Sequence, residues 1–250
     1  MCKVLNVSKS GYYAWLKRVE APLTEKQLQD KVLSQKIFQT FVNNLGVYGS
    51  PRIHAELQAN QYKVSQKKVA NMMRELGLKA TLPKVKFAKT KQETPHATYE
   101  NVLAGQFEVG QINQAWVADI TYIRTEEGWL YLATLMDIGS RKIVGWAMAD
   151  HMETSLIEKA LKHALSVRKP NKGWIHHSDQ GSQYTSQSYT KLLKNETAQI
   201  SMSRKGKPSD NACIEAFHST IKKECIHRQK IETIQEGKRL VENYIVYFYN

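Results

Sequence analysis

The chain has 250 residues, enough for two domains, one of which is large enough to bury a proper core. Its 36 Lys and Arg against 23 Asp and Glu give a net charge of +13. The excess is uneven, since residues 1–100 carry 17 basic and 7 acidic side chains and residues 101–250 carry 19 and 16. A basic N-terminal part is typical of polyanion-binding proteins, because contacts to phosphates release counterions. A merely soluble basic surface is the alternative.

Cysteine usage and hydropathy argue against several other classes of protein. Cys2, Cys213 and Cys225 form no CxxC pair and no cluster with histidine, which argues against a zinc site or a disulfide framework. No apolar run approaches the length of a membrane span, and the N-terminus lacks the apolar region of a signal peptide. We therefore expect a soluble, cytoplasmic protein with reduced thiols and no membrane partner.

The N-terminal region predicts four helices, of which the first two begin at polar caps. Residues 1–20 predict a short turn and helix that Ser8 or Ser10 would cap. Thr24 is predicted to cap a second helix that runs to the mid-forties. The apolar positions of this second helix recur at roughly helical spacing, at Leu28, Val32, Ile37 and Phe41.

The third and fourth predicted helices are also marked by their ends. Ser50 is a good N-cap and Pro51 suits the first helical position, where its missing N–H costs nothing. Ile53 and Leu57 then share a face of the third helix. Ser65 is predicted to cap the fourth helix, which should end before Gly77.

The fourth helix is the best candidate for contact with DNA bases. Its apolar residues follow an i, i+3, i+4, i+7 pattern and should face the core; they are Val69, Met72, Met73 and Leu76. The outward face then carries Lys67, Lys68, Asn71 and Arg74. Arginine and asparagine can pair with base edges, while lysine holds phosphates. A charged face that is only solvated is the alternative.

Residues 81–112 are predicted to form a basic linker. The segment is polar and Lys-rich, contains Pro83 and Pro95, and has little apolar periodicity. We expect it to lie along DNA rather than to form a packed element. A solvated linker without contacts is the alternative.

The pattern changes from residue 113, where strands and helices alternate. β-Branched and aromatic runs predict strands, and turn signals separate the first three of them, which suggests an antiparallel meander. The predicted strands are residues 116–123, 128–135, 143–147, 174–177 and a short one near Ile200. Helices are predicted from Thr154, from Ser186 and around Glu215.

Three carboxylates in this region lie in distinctive local sequences. They are Asp119 in WVADITYI, Asp179 in HHSDQGSQY and Glu215 in DNACIEAFH. Between Asp179 and Glu215 there are 35 residues. The spacing proves little in a chain with 23 acidic residues, so the neighbouring residues carry the argument.

These three blocks, in this order, resemble the DDE recombinases, and most closely the OrfB transposases of the insertion-sequence-3 family. The resemblance runs from about Tyr48 to Asn250. It implies an α/β fold in which an RNase H-like integrase core, residues 113–250, follows a small all-α helix-turn-helix-type region, residues 1–80. Residues 1–20 look like the second half of a helix-turn-helix, whose first half an upstream reading frame supplies by frameshifting in the family. A small aromatic docking patch is the alternative for this segment.

In such a core the three carboxylates would meet at one edge of the sheet. Asp119 would lie inside the first strand, Asp179 just past the fourth, and Glu215 on a helix crossing that edge. Three acids there provide the oxygen ligands that Mg²⁺ prefers, and Mn²⁺ can substitute for it. Two ions about 3.5–4 Å apart can activate the attacking oxygen and stabilise the leaving one. We expect Asp119 to bridge both ions; surface salt bridges are the alternative.

Basic residues near these acids are predicted to contact DNA. Lys222 follows Glu215 by two helical turns, about 10.5 Å along one face, and resembles a basic residue that the family is implied to use to grip DNA near the cut. Before that helix, a loop could close over the DNA backbone with Arg204, Lys205 and Lys207.

Several other acidic and histidine residues could be taken for metal ligands, but we predict structural roles for them. Asp137 matches a family position, yet a role at a strand end is the better interpretation, and Asp210 looks like a helix cap. His176 and His177 are predicted to pack or to orient Asp179, because Mg²⁺ favours oxygen ligands. Gly181 is given a conformational role in a turn.

The predicted function is transposition by metal-dependent phosphoryl transfer. The resemblance implies DNA partners, namely terminal inverted repeats and target DNA, and an assembly of several subunits. The chain stops at residues 247–250, where family members continue with an Arg- and His-containing tail, so we expect the final helix to be cut. Two alternatives stay open: a truncated, non-catalytic DNA-binding inhibitor of intact transposase, and an RNase H-like nuclease.

Overall fold

The computed structural model describes residues 8–22, 24–80, 98–105 and 110–250. The chain divides into two compact units, Met1–Leu82 and Pro83–Asn250. Most of the predicted linker, residues 81–97 and 106–109, lies outside the described residues, as does Cys2. Within the described ranges, no helix is both long enough and apolar enough to cross a membrane.

The first unit consists of helices, and three of the predicted polar caps are confirmed. The helices are α1 Lys9–Glu20, α2 Glu25–Asn43, α3 Ser50–Ala59 and α4 Gln66–Glu75. Ser8, Thr24 and Ser65 each accept a hydrogen bond from a backbone N–H of the first turn that follows. Ser50 is the exception, because it is the first helical residue and Gly49 occupies the cap position.

The core of the first unit lies between α2, α3 and α4. It contains Leu33, Ile37, Ile53, Leu57, Val69, Met72 and Met73. The predicted apolar face of α2 is wrong in its first half, since Leu28 and Val32 are 49% and 57% exposed. The buried face runs instead through Leu33, Ile37 and Thr40, at i, i+4 and i+7.

The C-terminal end of α4 differs from the prediction in one residue. Leu76 is 40% exposed because the helix ends at Glu75 and Leu76 is the C-cap. Gly77 follows with φ of +68°, a left-handed conformation that glycine adopts without steric cost. The predicted end before Gly77 is therefore confirmed, while the apolar stripe is one turn shorter than expected.

The second unit is built on a five-stranded mixed sheet. Its strands are β1 Ala115–Arg124, β2 Trp129–Asp137, β3 Ile143–Ala149, β4 Ile175–Ser178 and β5 Gln199–Met202. The strand order is β3-β2-β1-β4-β5, with β1, β2 and β3 antiparallel and with β4 and β5 parallel to β1. The predicted antiparallel meander and the α/β fold class are confirmed.

Helices cover both faces of this sheet and create two cores. They are α5 Thr154–Val167, α6 Gln187–Asn195, α7 Ala212–Glu224 and α8 Ile234–Asn243, which continues into a π-helical turn, Tyr244–Tyr249. Because successive side chains of a strand point to opposite faces, Trp116 and Ala118 join the α5 and α6 side. Ala115 and Val117 join the α7 and α8 side. Residue 119 has the same parity as 115 and 117, so it faces α7.

Part of the predicted linker is packed, contrary to expectation. Leu103 is 2% exposed and belongs to the core on the α7 side. The backbone N–H groups of Val102 and Leu103 donate to Ser201 Oγ on β5, and Glu100 O accepts from Met202 N. A short stretch without apolar periodicity can still supply one buried residue and cover a sheet edge.

Candidate active site

The pairing of β1 with β4 brings two of the three predicted carboxylates together beside the end of β4. In this parallel pair, Val117 lies opposite His177, and each acid follows two residues further along its chain. Asp119 is therefore still inside β1, and Asp179 is the first residue after β4 ends at Ser178. The two carboxylates are neighbours because each lies two residues beyond a member of the same pair in adjacent parallel strands.

The third carboxylate is placed by the start of α7. Asn211, the residue before this helix, is buried and its side-chain amide donates to the backbone oxygen of Ala118 at 3.3 Å. This bond fixes the first turn of α7 against β1, one residue from Asp119. Glu215 lies in that first turn, where the positive end of the helix dipole favours a negative charge.

The electrostatics of the site show that the three acids act on one another. Burial, followed by the charge of Asp119, raises the pKa of Asp179 to about 6. The pKa of Glu215 is also raised, first by partial burial and then by the charge of Asp119; Asp179 adds to the rise and His218 opposes it. Three like charges therefore share one partly desolvated site, which a cation would stabilise.

The donor set fits hard divalent cations in an open site. All three candidate ligands are carboxylates, the oxygen donors that Mg²⁺ takes together with several waters and substrate phosphates. In the part of the chain that the structure describes, no three or more His, Cys, Asp or Glu side chains are grouped so that they could hold one metal ion by themselves. Each ion would therefore take some of the carboxylates and complete its shell with water and phosphate oxygens.

Backbone amides hold two of the carboxylates in place. Asp119 Oδ1 accepts from Ile120 N at 2.9 Å, and Asp179 Oδ1 accepts from Gly181 N at 2.9 Å. The conformational role predicted for Gly181 is wrong, since its φ does not lie in the left-handed region. A Cβ at this position would lie 2.9 Å from Asp179 Oδ1, so glycine is needed for the close approach to the carboxylate.

Lys222 reaches the same site from the other end of α7. Its Nζ lies 4.7 Å from the centre of the Tyr122 ring, a cation–π distance. Burial lowers the pKa of Lys222, while the charge of Asp119 opposes that shift. Glu215 and Lys222 are thus both within electrostatic range of Asp119, in agreement with their two-turn spacing on one helix face.

His218 is the residue of the site that the sequence prediction missed. Its Nδ1 lies 3.2 Å from Asp119 Oδ2, and its Nε2 lies 2.8 Å from Thr134 Oγ1 on β2. The residue is 6% exposed. It follows Glu215 by three positions, so both project from the same side of α7, and this spacing was the signal that could have found it.

The loop before α7 is basic and exposed, and its Arg204 forms an ion pair with Asp210. Lys205 and Lys207 are exposed, whereas the Arg204 guanidinium donates to both oxygens of Asp210 at 2.9 Å. The predicted helix-capping role of Asp210 is wrong, because Asn211 occupies the cap position. Asp210 instead accepts from Arg204 and from Asn101 Nδ2, and these bonds hold its pKa well below the usual range.

The two histidines before Asp179 are packing residues, as predicted. Burial lowers the pKa of His176 to about 3 and that of His177 to about 4, so both are neutral at physiological pH. His176 pairs with the Tyr189 hydroxyl. Both ring nitrogens of His177 pair with hydroxyls, those of Ser201 and Ser203.

Asp137 has the predicted structural role at the end of β2. Its buried carboxylate accepts from the backbone N–H groups of Asn113, Gly139 and Ser140 and from the Ser140 hydroxyl. The three bonds from Gly139 and Ser140 fix the turn between β2 and β3, and the fourth connects it to Asn113, which precedes β1. Cys213 and Cys225 are free thiols, and burial raises the pKa of Cys225 to about 11.

The predicted DNA-contacting face of α4 belongs to the first unit. All four of its residues are exposed: Lys67, Lys68, Asn71 and Arg74. Lys68 Nζ forms an ion pair with Asp30 Oδ1 at 2.6 Å, and Arg74 donates to Asn71 Oδ1 at 3.4 Å. Contact of this face with DNA stays a prediction.

Family models match both units of the chain. An HTH-like domain matches residues 27–86, and two integrase core domain models match residues 111–208 and 196–250. The catalytic domain of the Mos1 mariner transposase is a similar solved structure, with a TM-score of 0.44 and 9% identity over 54% of this chain and 71% of that one. The prediction of an integrase-type core after a helix-turn-helix-type region is confirmed by the family models.

Curated relatives resemble the chain along its whole length. The 31 kDa protein of insertion element IS600 from Shigella sonnei is 37% identical over 250 residues, which is all of this chain and 91% of that protein. The transposase InsF of insertion sequence IS3A from Escherichia coli K12 is 39% identical over 251 residues, all of this chain and 86% of that protein. The chain therefore belongs to the IS3 family of insertion-sequence transposases, enzymes with an integrase core domain.

Proposed function

We propose that this transposase binds the ends of its insertion sequence and catalyses metal-dependent DNA cleavage and strand transfer at Asp119, Asp179 and Glu215. The observation that carries the proposal is the shared site itself. Asp119 lies in β1, Asp179 directly follows the parallel strand β4, and Glu215 lies in the first turn of α7. Burial, followed by the charge of Asp119, raises the pKa of Asp179 and of Glu215. Three neighbouring carboxylates repel one another when no cation is bound. Such repulsion is expected at a site whose function includes binding a cation.

Each carboxylate has a defined part in the proposed reaction. Asp119, held at both oxygens by Ile120 N and His218, would bridge two Mg²⁺ ions, and Asp179 and Glu215 would each bind one. Ions in such a site activate the attacking oxygen and stabilise the leaving oxygen. Water would first attack the phosphodiester at the element end and free a 3′-OH. That hydroxyl would then attack a phosphodiester of a second strand in line, which joins the two strands and releases the 3′-OH of the attacked strand, without a covalent bond to the protein.

Basic residues around the carboxylates would hold the DNA backbone. Lys222, supported by the Tyr122 ring, would bind a phosphate beside the cut strand. Lys205 and Lys207 are exposed on the loop before α7 and would contact phosphates further along. Arg204 would contribute with the exposed part of its side chain, which is 63% accessible despite the ion pair with Asp210.

The exposed face of α4 would read the terminal inverted repeats. We expect Arg74→Ala to weaken binding to element ends by about 1–3 kcal/mol and to reduce discrimination against a scrambled duplex. Lys67→Ala should weaken both duplexes alike and lower the salt slope by about one. Fluorescence anisotropy across a salt series measures both effects, with Lys26→Ala on α2 as the control. Equal affinity and equal salt dependence of the parent chain and all three variants would contradict the proposal that α4 contacts DNA.

The family implies partners beyond DNA itself. The enzyme would act as an assembly of several copies on paired ends, with the product of the upstream reading frame as a further partner. Its place of action would be the cytoplasm, at the nucleoid. The identity to InsF over the whole of this chain supports a reaction on insertion-sequence DNA.

The test of the proposal is cleavage of the terminal sequences that flank its gene. Labelled end duplexes and scrambled duplexes are incubated with the protein in Mg²⁺, Mn²⁺ or EDTA. The proposal predicts nicks that leave a 3′-OH at the element end in either metal and none in EDTA. Tight binding to the ends without cleavage in any metal would favour the inhibitor instead, and cleavage of an RNA–DNA hybrid alone would favour the nuclease.

A further inference from the structure

We propose that His218 is a positioning residue, which holds the Asp119 carboxylate in the orientation that binds the divalent ions. The inference rests on the proposed function, because it concerns the same site. His218 itself would touch neither ion nor DNA. It would act through Asp119, the acid that is proposed to bridge both ions.

The geometry of His218 fixes its ring at both ends. Nδ1 lies 3.2 Å from Asp119 Oδ2, and Nε2 lies 2.8 Å from Thr134 Oγ1. Thr134 is 1% exposed and its backbone lies directly opposite Asp119 in the β1–β2 pairing. The imidazole, which is carried by α7, therefore connects the Thr134 side chain on β2 to the Asp119 side chain on β1.

The direction of the hydrogen bonds follows from the chemistry of the partners. A carboxylate only accepts hydrogen bonds, so a hydrogen is required on His218 Nδ1. The Thr134 hydroxyl can donate to Nε2 or accept from it, and it satisfies either form of the ring. Nδ1–H therefore points at Asp119 whichever form is present.

The hydrogen bonds to Asp119 leave both of its oxygens available to cations. Each carboxylate oxygen has two lone pairs; Oδ1 uses one for Ile120 N and Oδ2 uses one for His218 Nδ1. The bonds fix the plane of the carboxylate, so that the two remaining lone pairs point in fixed directions. Partners that orient a metal-binding side chain typically contribute about 10–100-fold to metal affinity or activity.

Three variants of the full chain separate positioning from packing. His218→Phe keeps a buried ring but removes both nitrogens. His218→Asn keeps a donor at the position of Nδ1 and serves as the conservative rescue. Thr134→Val is nearly isosteric and removes only the hydroxyl that orients the ring. The readout is Mn²⁺ binding in the absence of DNA, followed by electron paramagnetic resonance of the free ion, with thermal unfolding as a check of folding.

We expect the Mn²⁺ dissociation constant of His218→Phe to rise about 10–100-fold. His218→Asn should remain within about fivefold of the parent chain, and Thr134→Val should show a smaller loss than His218→Phe. An unchanged affinity in His218→Phe would overturn the inference. If His218→Phe does not fold, an unchanged affinity in Thr134→Val would overturn it.

Glu215→Gln separates this inference from the proposed function. If the parent chain binds Mn²⁺ no better than Glu215→Gln, the three-carboxylate site itself is contradicted. If the parent binds Mn²⁺ and Glu215→Gln does not, while His218→Phe equals the parent, only the positioning role is contradicted.

Discussion

Glu215→Gln is expected to lower the rate of element-end cleavage by about 10³-fold or more while leaving DNA binding within about twofold. The substitution keeps the shape of the side chain and removes its charge, so a ligand of the proposed ions is lost. Metal ions contribute several kcal/mol of transition-state stabilisation, and each 1.36 kcal/mol corresponds to a tenfold change in rate. Single-turnover cleavage of labelled end duplexes measures the effect.

The matched control for this prediction is Glu242→Gln. Glu242 is exposed on α8, so the same chemical change is made away from the proposed site. The control should cleave at the parent rate. Comparable rates for Glu215→Gln and Glu242→Gln would contradict a catalytic role for Glu215, since both variants remove one negative charge from the chain.

Asp179→Asn is expected to stabilise the metal-free protein at neutral pH. Burial, followed by the charge of Asp119, raises the pKa of Asp179 from 3.8 to about 6. The folded protein therefore binds this proton more tightly than the unfolded chain, and stability falls as pH rises between these two values. Above about pH 6 the full penalty applies, on the order of 2–3 kcal/mol. Asparagine removes it and still accepts from Gly181 N.

Urea denaturation in EDTA across pH 4–8 measures this second effect. The free energy of unfolding of Asp179→Asn should exceed that of the parent at pH 7, and the gain should shrink towards zero near pH 4. Asp150→Asn is a control of opposite sign, because a hydrogen bond from His151 lowers the pKa of the exposed Asp150. A loss of stability in Asp179→Asn at pH 7 would show that the carboxylate is not destabilising in the metal-free fold.

The parts of the fold that followed from the sequence are those set by local chemistry. Ser8, Thr24 and Ser65 cap helices because their side chains accept nearby backbone N–H groups. The strands around Asp119 and Asp179 were predictable because short runs rich in β-branched and aromatic residues typically form buried strands. The neighbourhood of Asp119, Asp179 and Glu215 was expected from the family resemblance rather than from their spacing.

The predictions that were wrong or missing concern contacts between residues distant in the chain, or the assignment of a role to one of two neighbouring residues. The buried face of α2 depends on where α3 and α4 lie, so Leu28 and Val32 could not be assigned from periodicity alone. Asp210 accepts hydrogen bonds from Arg204 and Asn101, and these contacts depend on the tertiary structure. His218 contacts an acid 99 positions earlier in the chain, and only its spacing from Glu215 pointed to the site.

Strand transfer from a pre-cleaved element end isolates phosphoryl transfer at the three carboxylates, because it requires the carboxylates and the DNA 3′-OH but no other nucleophile. The parent chain is given Mg²⁺, target DNA, and ends that terminate in either a 3′-OH or a 3′-deoxy nucleotide. We expect joined products from the 3′-OH ends, none from the 3′-deoxy ends, and none from either with Glu215→Gln. Joining of 3′-deoxy ends, or equal joining by Glu215→Gln, would contradict direct phosphoryl transfer at this site.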